Sequence, residues 1–269
     1  MINYDNQTEF TRWIKSLDKR FWCPDKRELI ILFWYMSSWK TEYAYHVARA
    51  NKTKTLFLSL ELPEYDMKLR ICRKRAGVSK YDFQKKNYTE QQKEIMDNKW
   101  RELENDDKIK ISSPTDKWLP NLISEIMHAY DEWCRMFIID DLDKIPAEDN
   151  EDENKRYQRI TSTLQDFKNN NDACIILLHH AKKPNDKNVY RKAGMAWMRW
   201  SQKIMDNATQ VFEISRDLDP DEQDHAIKAQ VEITQLKDTF EWANWFEIIY
   251  FYKGDYYDET GYKTAKYEA

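Results

Sequence analysis

The sequence predicts an α/β protein: a mostly parallel sheet flanked by helices, with an antiparallel extension near the C-terminus. Short, nearly continuous apolar runs of strand length alternate with segments of helical periodicity as far as about residue 207. Such unbroken runs suit strands covered on both faces, as in a parallel sheet. Beyond that point the strand-like runs follow one another without helices between them. The 269 residues, 41% hydrophobic and 33% charged, suffice for one large domain with a real core. We expect an N-terminal helix or arm over 1–24, one domain over 25–255, and a polar, partly frayed tail over 256–269.

Residues 6–19 place Phe10, Trp13, Ile14 and Leu17 on one helical face. Glu28–Phe33 (ELIILF) reads as the first buried strand, and Thr41–Ala50 follows a polar turn with helical spacing. Thr55–Leu60 (TLFLSL) is a second strand, and Pro63 suits the first turn of a helix reaching about Lys74. A charged helix over Thr89–Glu104 precedes a strand at Lys108–Ser112 and a helix at Leu119–Glu132. Met136–Asp140 (MFIID) is an apolar strand ending in acids, Glu151–Asn170 a long polar helix, and Ala173–Leu178 (ACIILL) another strand. A basic loop covers Lys182–Lys192, with helix over Ser201–Asn207. Gln210–Ser215, Ala229–Lys237 and Phe246–Tyr252 alternate as strands.

Composition narrows the function. The longest apolar run, Leu29–Met36, falls far short of the roughly 18 residues that span a bilayer. No charged-then-apolar leader precedes a small-residue cleavage site. The cysteines Cys23, Cys72, Cys134 and Cys174 are scattered without a C-x-x-C pair, as reduced thiols would be. We therefore expect a cytoplasmic protein without a membrane partner. A net charge of −4 gives no whole-surface basic footprint for nucleic acid and leaves a local patch open.

One ratio is out of line: 4 glycines against 11 tryptophans. A chain of this length ordinarily carries about 19 glycines. The tryptophans sit in telling places. After the first strand comes Trp34-Tyr35-Met36-Ser37-Ser38-Trp39-Lys40-Thr41, then a helix. That is the strand–loop–helix setting and spacing of a P-loop, G-x-x-x-x-G-K-[ST], with tryptophan in both glycine positions. A phosphate cradle needs free main-chain N–H groups and a helix N-terminus; an indole before the lysine would obstruct the ligand. Trp242-Ala243-Asn244-Trp245 lies where a hairpin turn is needed, and Asn-Gly, not Asn-Trp, is the hairpin signal. Trp197 and Trp200 lie in a polar loop, and Trp133 just precedes the Met136 strand. We expect many of these tryptophans to stand for glycine. A gene that reads UGA as glycine, translated with UGA as tryptophan, gives this pattern. The alternative is a tryptophan-rich core protein with a degenerate loop.

Other residues bear on the same chemistry. Glu61 ends the second strand, where a carboxylate can polarise an attacking water, though a glutamate at a helix start is equally favoured by the dipole. Asp140 closes an apolar strand in the Walker-B manner, placed to hold Mg²⁺ directly or through water. His179 and His180 end the ACIILL strand facing the switch-point crevice; neighbours on a strand point apart, so they are not a chelating pair. Lys182, Lys183, Lys187, Arg191, Lys192 and Arg199 form a basic stretch that suits phosphates of a single strand or is a solvated loop.

Together RELIILFWYMSSWKTEYAYHVA, LFLSLELPEYDMKLRI and MFIIDDLDKI resemble the RecA-fold motor domain of DnaB-type replicative helicases. ILLHHAKK and GMAWMRWSQKIMDNA are closer to the RepA-like hexameric branch. The resemblance covers roughly residues 25–255 and implies a RecA-like P-loop NTPase core. It implies a nucleotide cradle of Trp34, Ser37, Ser38, Trp39, Lys40 and Thr41, with Lys40 on the β/γ-phosphates and Thr41 and Asp140 holding Mg²⁺. It further implies that Glu61 activates water, that His180 replaces the family's sensor, and that Lys237 lies near the family's basic finger. The 182–200 loop would face the strand being bound. Three departures stand out: Trp34 and Trp39, the absence of a placed arginine in Leu236-Lys237-Asp238, and the missing separate N-terminal domain. The resemblance thus implies an ATP- and Mg²⁺-dependent helicase hydrolysing ATP between subunits of a homo-oligomeric ring or filament on single-stranded DNA, with replication proteins as further partners. The alternatives are a RecA-like ATPase acting on a protein partner (a loader, repair or signalling factor), or a nucleotide-binding-deficient scaffold should Trp34 and Trp39 be genuine.

Overall fold

A computed structural model describes residues 26–34, 40–180, 202–215, 229–239 and 246–267. The helix expected over 6–19 lies outside these residues. Nine strands form one sheet in the order β3-β2-β4-β5-β1-β6-β7-β8-β9. They are β1 (Leu29–Trp34), β2 (Lys54–Ser59), β3 (Ile109–Ser112), β4 (Cys134–Asp140), β5 (Cys174–His180), β6 (Gln210–Ser215), β7 (Gln230–Asp238), β8 (Phe246–Tyr252) and β9 (Asp255–Tyr257). Strands β1 to β6 pair in parallel, and β7, β8 and β9 add antiparallel hairpins at one edge. The sheet is thus mostly parallel with an antiparallel C-terminal extension, as the alternation of elements predicts.

The unbroken apolar runs are explained by the pleat. Alternate residues of a strand face opposite sides, and both sides of this sheet are covered. On one face Ile30 and Leu32 meet α1 (Lys40–Ala50), α2 (Glu64–Arg75) and α4 (Glu90–Glu104). On the other, Leu29, Ile31 and Phe33 meet α5 (Leu119–Asp131), α6 (Glu153–Asn170) and α7 (Gln202–Asn207). The short α3 (Lys80–Lys85), started by Ser79 as N-cap, is an element the periodicity does not reveal.

The chain beyond Gly254 is not a loose tail. β9 pairs with β8, and α8 (Glu259–Tyr267) stacks Tyr262 on Tyr250 at 4.8 Å. Asp255 anchors this edge. It accepts hydrogen bonds from Arg49 and, at 2.9 Å, from Arg75, with His46 Nδ1 at 3.6 Å. The polarity of residues 255–269 conceals this, because the anchors are an ion cluster and the buried Tyr256 rather than a periodic apolar face.

Trp133 behaves as the composition suggests. It follows α5 with φ = +73°, in the left-handed conformation that usually belongs to glycine after a helix, and its side chain is 73% exposed. Arg27, Lys86, Asn150 and Lys253 also take positive φ among the described residues, but none carries a ring. Trp100 contrasts with it: it lies inside α4, packs on the core and meets Tyr65 edge-on at 5.2 Å.

Two outcomes follow for urea unfolding. Trp133→Gly should stabilise the fold by about 1 kcal/mol, because a left-handed non-glycine residue is strained by about that much. Trp100→Gly should destabilise it by about 2–4 kcal/mol through lost packing and helix propensity. Burial pushes the Asp255 carboxyl up, but the His46 contact and the Arg49 and Arg75 charges outweigh it and hold the group below the ordinary range. The stabilisation is therefore complete above the unfolded carboxyl value of about 3.9 and fades as pH falls below it. The difference in urea midpoint between parent and Asp255→Asn should be largest at pH 7 and shrink at pH 3.

Candidate active site

Parallel pairing brings the C-terminal ends of β2, β4, β5 and β1 side by side, with Ser59 opposite Asp140 and Trp34 opposite His180. Residues just beyond such strand ends line the crevice of an open α/β sheet. Here they are Glu61 after β2, Asp140 and Asp141 across the end of β4, His180 at the end of β5, and Lys40 and Thr41 opening the helix that follows β1.

Three acids at the end of β4 organise the site. Asp140 accepts a hydrogen bond from the Thr41 hydroxyl at 2.5 Å, and its carbonyl accepts from the main-chain N–H of Leu60 at 2.6 Å and of Glu61 at 3.3 Å. One residue thus fixes both the helix after the P-loop and the turn carrying Glu61. Ser59 and Ser113 donate to the Leu62 carbonyl and close that turn. Asp141 is fully buried. Its Oδ2 lies 3.4 Å from Lys40 Nζ and 2.9 Å from His180 Nε2. Asp143 accepts from the Tyr157 hydroxyl at 2.6 Å and the His180 N–H at 3.3 Å, with His179 Nδ1 also at 3.3 Å.

The charges follow from these partners. Burial pushes the Asp140 carboxyl above its ordinary range, against the pull of Lys40 and the Thr41 hydrogen bond. Burial acts likewise on Asp141, but the His180 hydrogen bond and the Lys40 charge overcome it and hold this carboxyl below the ordinary range. Burial of Asp143 is overcome in the same way, by its hydrogen bond to His179 and that ring's charge, then by Tyr157 and the His180 N–H. Glu61 is exposed, and one ligand atom each of Glu61, Asp141 and His180 lie within 4.8 Å of one another. Arg70 on α2 grips Glu42 on α1 with two hydrogen bonds of 2.7 and 2.8 Å. Burial disfavours its charge, but Glu42, with Asp140 and Glu61 beyond, keeps the guanidinium firmly protonated.

The residues present fit a hard divalent cation. Thr41 and Asp140 offer oxygen donors only, as Mg²⁺ prefers, and Asp140 Oδ1 is buried without a hydrogen-bond partner in the protein.

The structure thus joins Lys40, Thr41, Glu61, Asp140 and His180, all expected from sequence. Lys237 is placed elsewhere: its ammonium donates to the carbonyls of Met205 at 2.5 Å and Ala208 at 2.7 Å and caps the end of α7. Trp34 ends β1, but its side chain, with Ser37, Ser38 and Trp39, lies outside the described residues, as do Lys182, Lys183, Arg191, Lys192 and Arg199. Spacing alone does not single out Asp141, Asp143 or the Glu42–Arg70 pair. The run Ile139-Asp140-Asp141-Leu142-Asp143 signals several acids at one strand end, but their separate partners come from distant segments.

Comparison with known proteins agrees with this geometry. The family described as "DnaB-like helicase C terminal domain" matches residues 10–239. No curated protein matches the sequence significantly. The fold is similar to an ATPase domain solved by itself, with a TM-score of 0.79 at 17% identity, over 93% of this chain and 90% of that one. It is also similar to a DnaB-like replicative helicase studied for its interactions with primase, with a TM-score of 0.77 at 16% identity, over 91% of this chain and 60% of that longer one. The RadB recombinase is more distant, with a TM-score of 0.60 at 11% identity over 93% of this chain and 99% of that one. With the family match running through both the nucleotide-site strands and the helices that cover them, the chain belongs to the DnaB-like helicase C-terminal domain family.

Proposed function

We propose that the chain binds ATP with Mg²⁺, hydrolyses it, and uses the energy to move along single-stranded DNA as a homo-oligomer in the cytoplasm. The observation that carries this is the convergence of Lys40, Thr41, Glu61, Asp140 and His180 at adjacent strand ends. Phosphoryl transfer to water needs little covalent help, so positioning and charge neutralisation do most of the work. Lys40 supplies a cation for the β/γ-phosphates. Thr41 and Asp140 would hold Mg²⁺, which supplies further neutralisation of the phosphate oxygens. Glu61 is exposed on its fixed turn and takes the proton of the attacking water, while His180 contacts the γ-phosphate. The basic residues Lys182, Lys183, Arg191, Lys192 and Arg199 contact the DNA backbone, and Lys237 is assigned to the neighbour's site as a basic finger on resemblance alone. Replication proteins are further partners.

This function requires small residues in the cradle. We infer that positions 34, 39 and 133 are glycine in the native polypeptide. The support is the glycine deficit, the P-loop spacing, and the exposed, left-handed Trp133. Peptide mass mapping of the protein from its own source should show glycine at all three; tryptophan there, encoded by UGG, would overturn the inference and favour the scaffold reading.

Titration with ATP and Mg²⁺ should give micromolar binding after Trp34→Gly and Trp39→Gly, and much weaker binding without them. In that background Lys40→Ala should reduce hydrolysis by at least about 100-fold. Glu61→Gln should retain ATP binding while kcat falls by about 100-fold or more. Single-stranded DNA should stimulate hydrolysis; stimulation by a protein but never by DNA would favour the alternative of an ATPase acting on a protein partner.

A further inference from the structure

We propose that Asp141 is a positioning residue for hydrolysis: one buried carboxylate oxygen holds both the P-loop lysine and His180, and so sets the His180 imidazole according to whether the lysine is engaged with phosphate. This deepens the ATPase reading above and rests on it.

Asp141 is 0% exposed. A buried carboxylate is unfavourable unless cations or donors meet it. Its Oδ2 is met from two sides, by Lys40 Nζ at 3.4 Å and His180 Nε2 at 2.9 Å. Its Oδ1 has no hydrogen-bond partner in the protein. A carboxylate serving only to tie segments together would present both oxygens; here the two cationic partners share one. Contacts to a shared acceptor compete, because each donor drains the charge the other needs. Lys40 drawn towards phosphate therefore leaves Oδ2 to His180 alone.

The surroundings confine the response to one side chain. Asp143 holds the His180 main-chain N–H at 3.3 Å and the His179 ring at 3.3 Å. The backbone at the end of β5 is thereby fixed, while the His180 side chain remains 37% exposed. The imidazole stands between the buried Asp141 and the exposed Glu61, whose ligand atoms all lie within 4.8 Å. Its orientation thus determines what the catalytic glutamate and the attacked phosphate meet. The basic stretch begins two residues later, at Lys182.

The test has two arms. With only 5 histidines in the chain, the ¹⁵N-labelled imidazoles can be assigned one by one. In the nucleotide-free full chain, His180 should show an Nε2–H tautomer with slowed exchange. Asp141→Leu should abolish that signature, and Asp141→Asn, which keeps one acceptor, should preserve it. An unchanged His180 signal in Asp141→Leu would overturn the proposal whatever the chain does with ATP. In the second arm, Asp141→Leu should lower kcat by about 10- to 100-fold with little change in KM for ATP, as loss of orientation does. His180→Ala should lower it similarly, and the double variant no further. Effects that multiply would show the two residues acting independently and would also overturn the proposal. Absence of ATP hydrolysis in the parent after Trp34→Gly and Trp39→Gly would instead refute the ATPase reading, with the imidazole signature still deciding the contact.

Discussion

A carboxylate taken out of water has to be met by donors or cations, and this chain buries two at adjacent positions and partly buries a third next to them. Asp140, Asp141 and Asp143 leave the end of β4 within four residues. Each draws in a different part of the molecule: Asp140 takes Thr41, Asp141 takes Lys40 and His180, Asp143 takes Tyr157 and the main chain of His180. The site is assembled because these acids are not stable without partners. The helix after the P-loop, the turn with Glu61 and the end of β5 are held in one small volume by that requirement.

The sheet makes the requirement satisfiable. Placing β4 between β2 and β5, with β1 next to β5, puts the supply of partners within side-chain reach of the β4 terminus. Both faces of these strands are sealed by helices, so the crevice opens only at the strand ends. The antiparallel extension is tied back to α1 and α2 through Asp255, which meets His46, Arg49 and Arg75. α1 is therefore held at Thr41 by the site and at Arg49 by the edge of the sheet. The Glu42–Arg70 pair adds a third tie, between α1 and α2. Movement of α1 has to strain one of these contacts, which gives the phosphate site a mechanical link to the rest of the domain.

Much of this is legible in the residues themselves. ELIILF, TLFLSL, MFIID and ACIILL announce covered parallel strands because runs without alternation belong to strands buried on both faces. Lys40, Thr41, Glu61, Asp140 and His180 are legible because each sits at a strand end or helix start with a chemistry that spacing reveals. The separate duties of Asp141 and Asp143 are not, since their partners lie about 40 to 100 positions away or on another strand. β9 and α8 are hidden by polar composition, and the short α3 by its lack of buried residues. Lys237 shows the opposite failure: a cation at the right place in the chain whose ammonium is occupied by the carbonyls ending α7.

The central claim is that Lys40 exchanges a carboxylate partner for a phosphate one. A crystal structure of the chain with a non-hydrolysable ATP analogue and Mg²⁺, set beside one without them, tests it most directly. The account predicts Lys40 Nζ on the β- and γ-phosphate oxygens, displaced from Asp141, with Thr41 and Asp140 turned to the metal. A lysine still paired with Asp141, and no nucleotide at the end of β1 under saturating analogue, would contradict it.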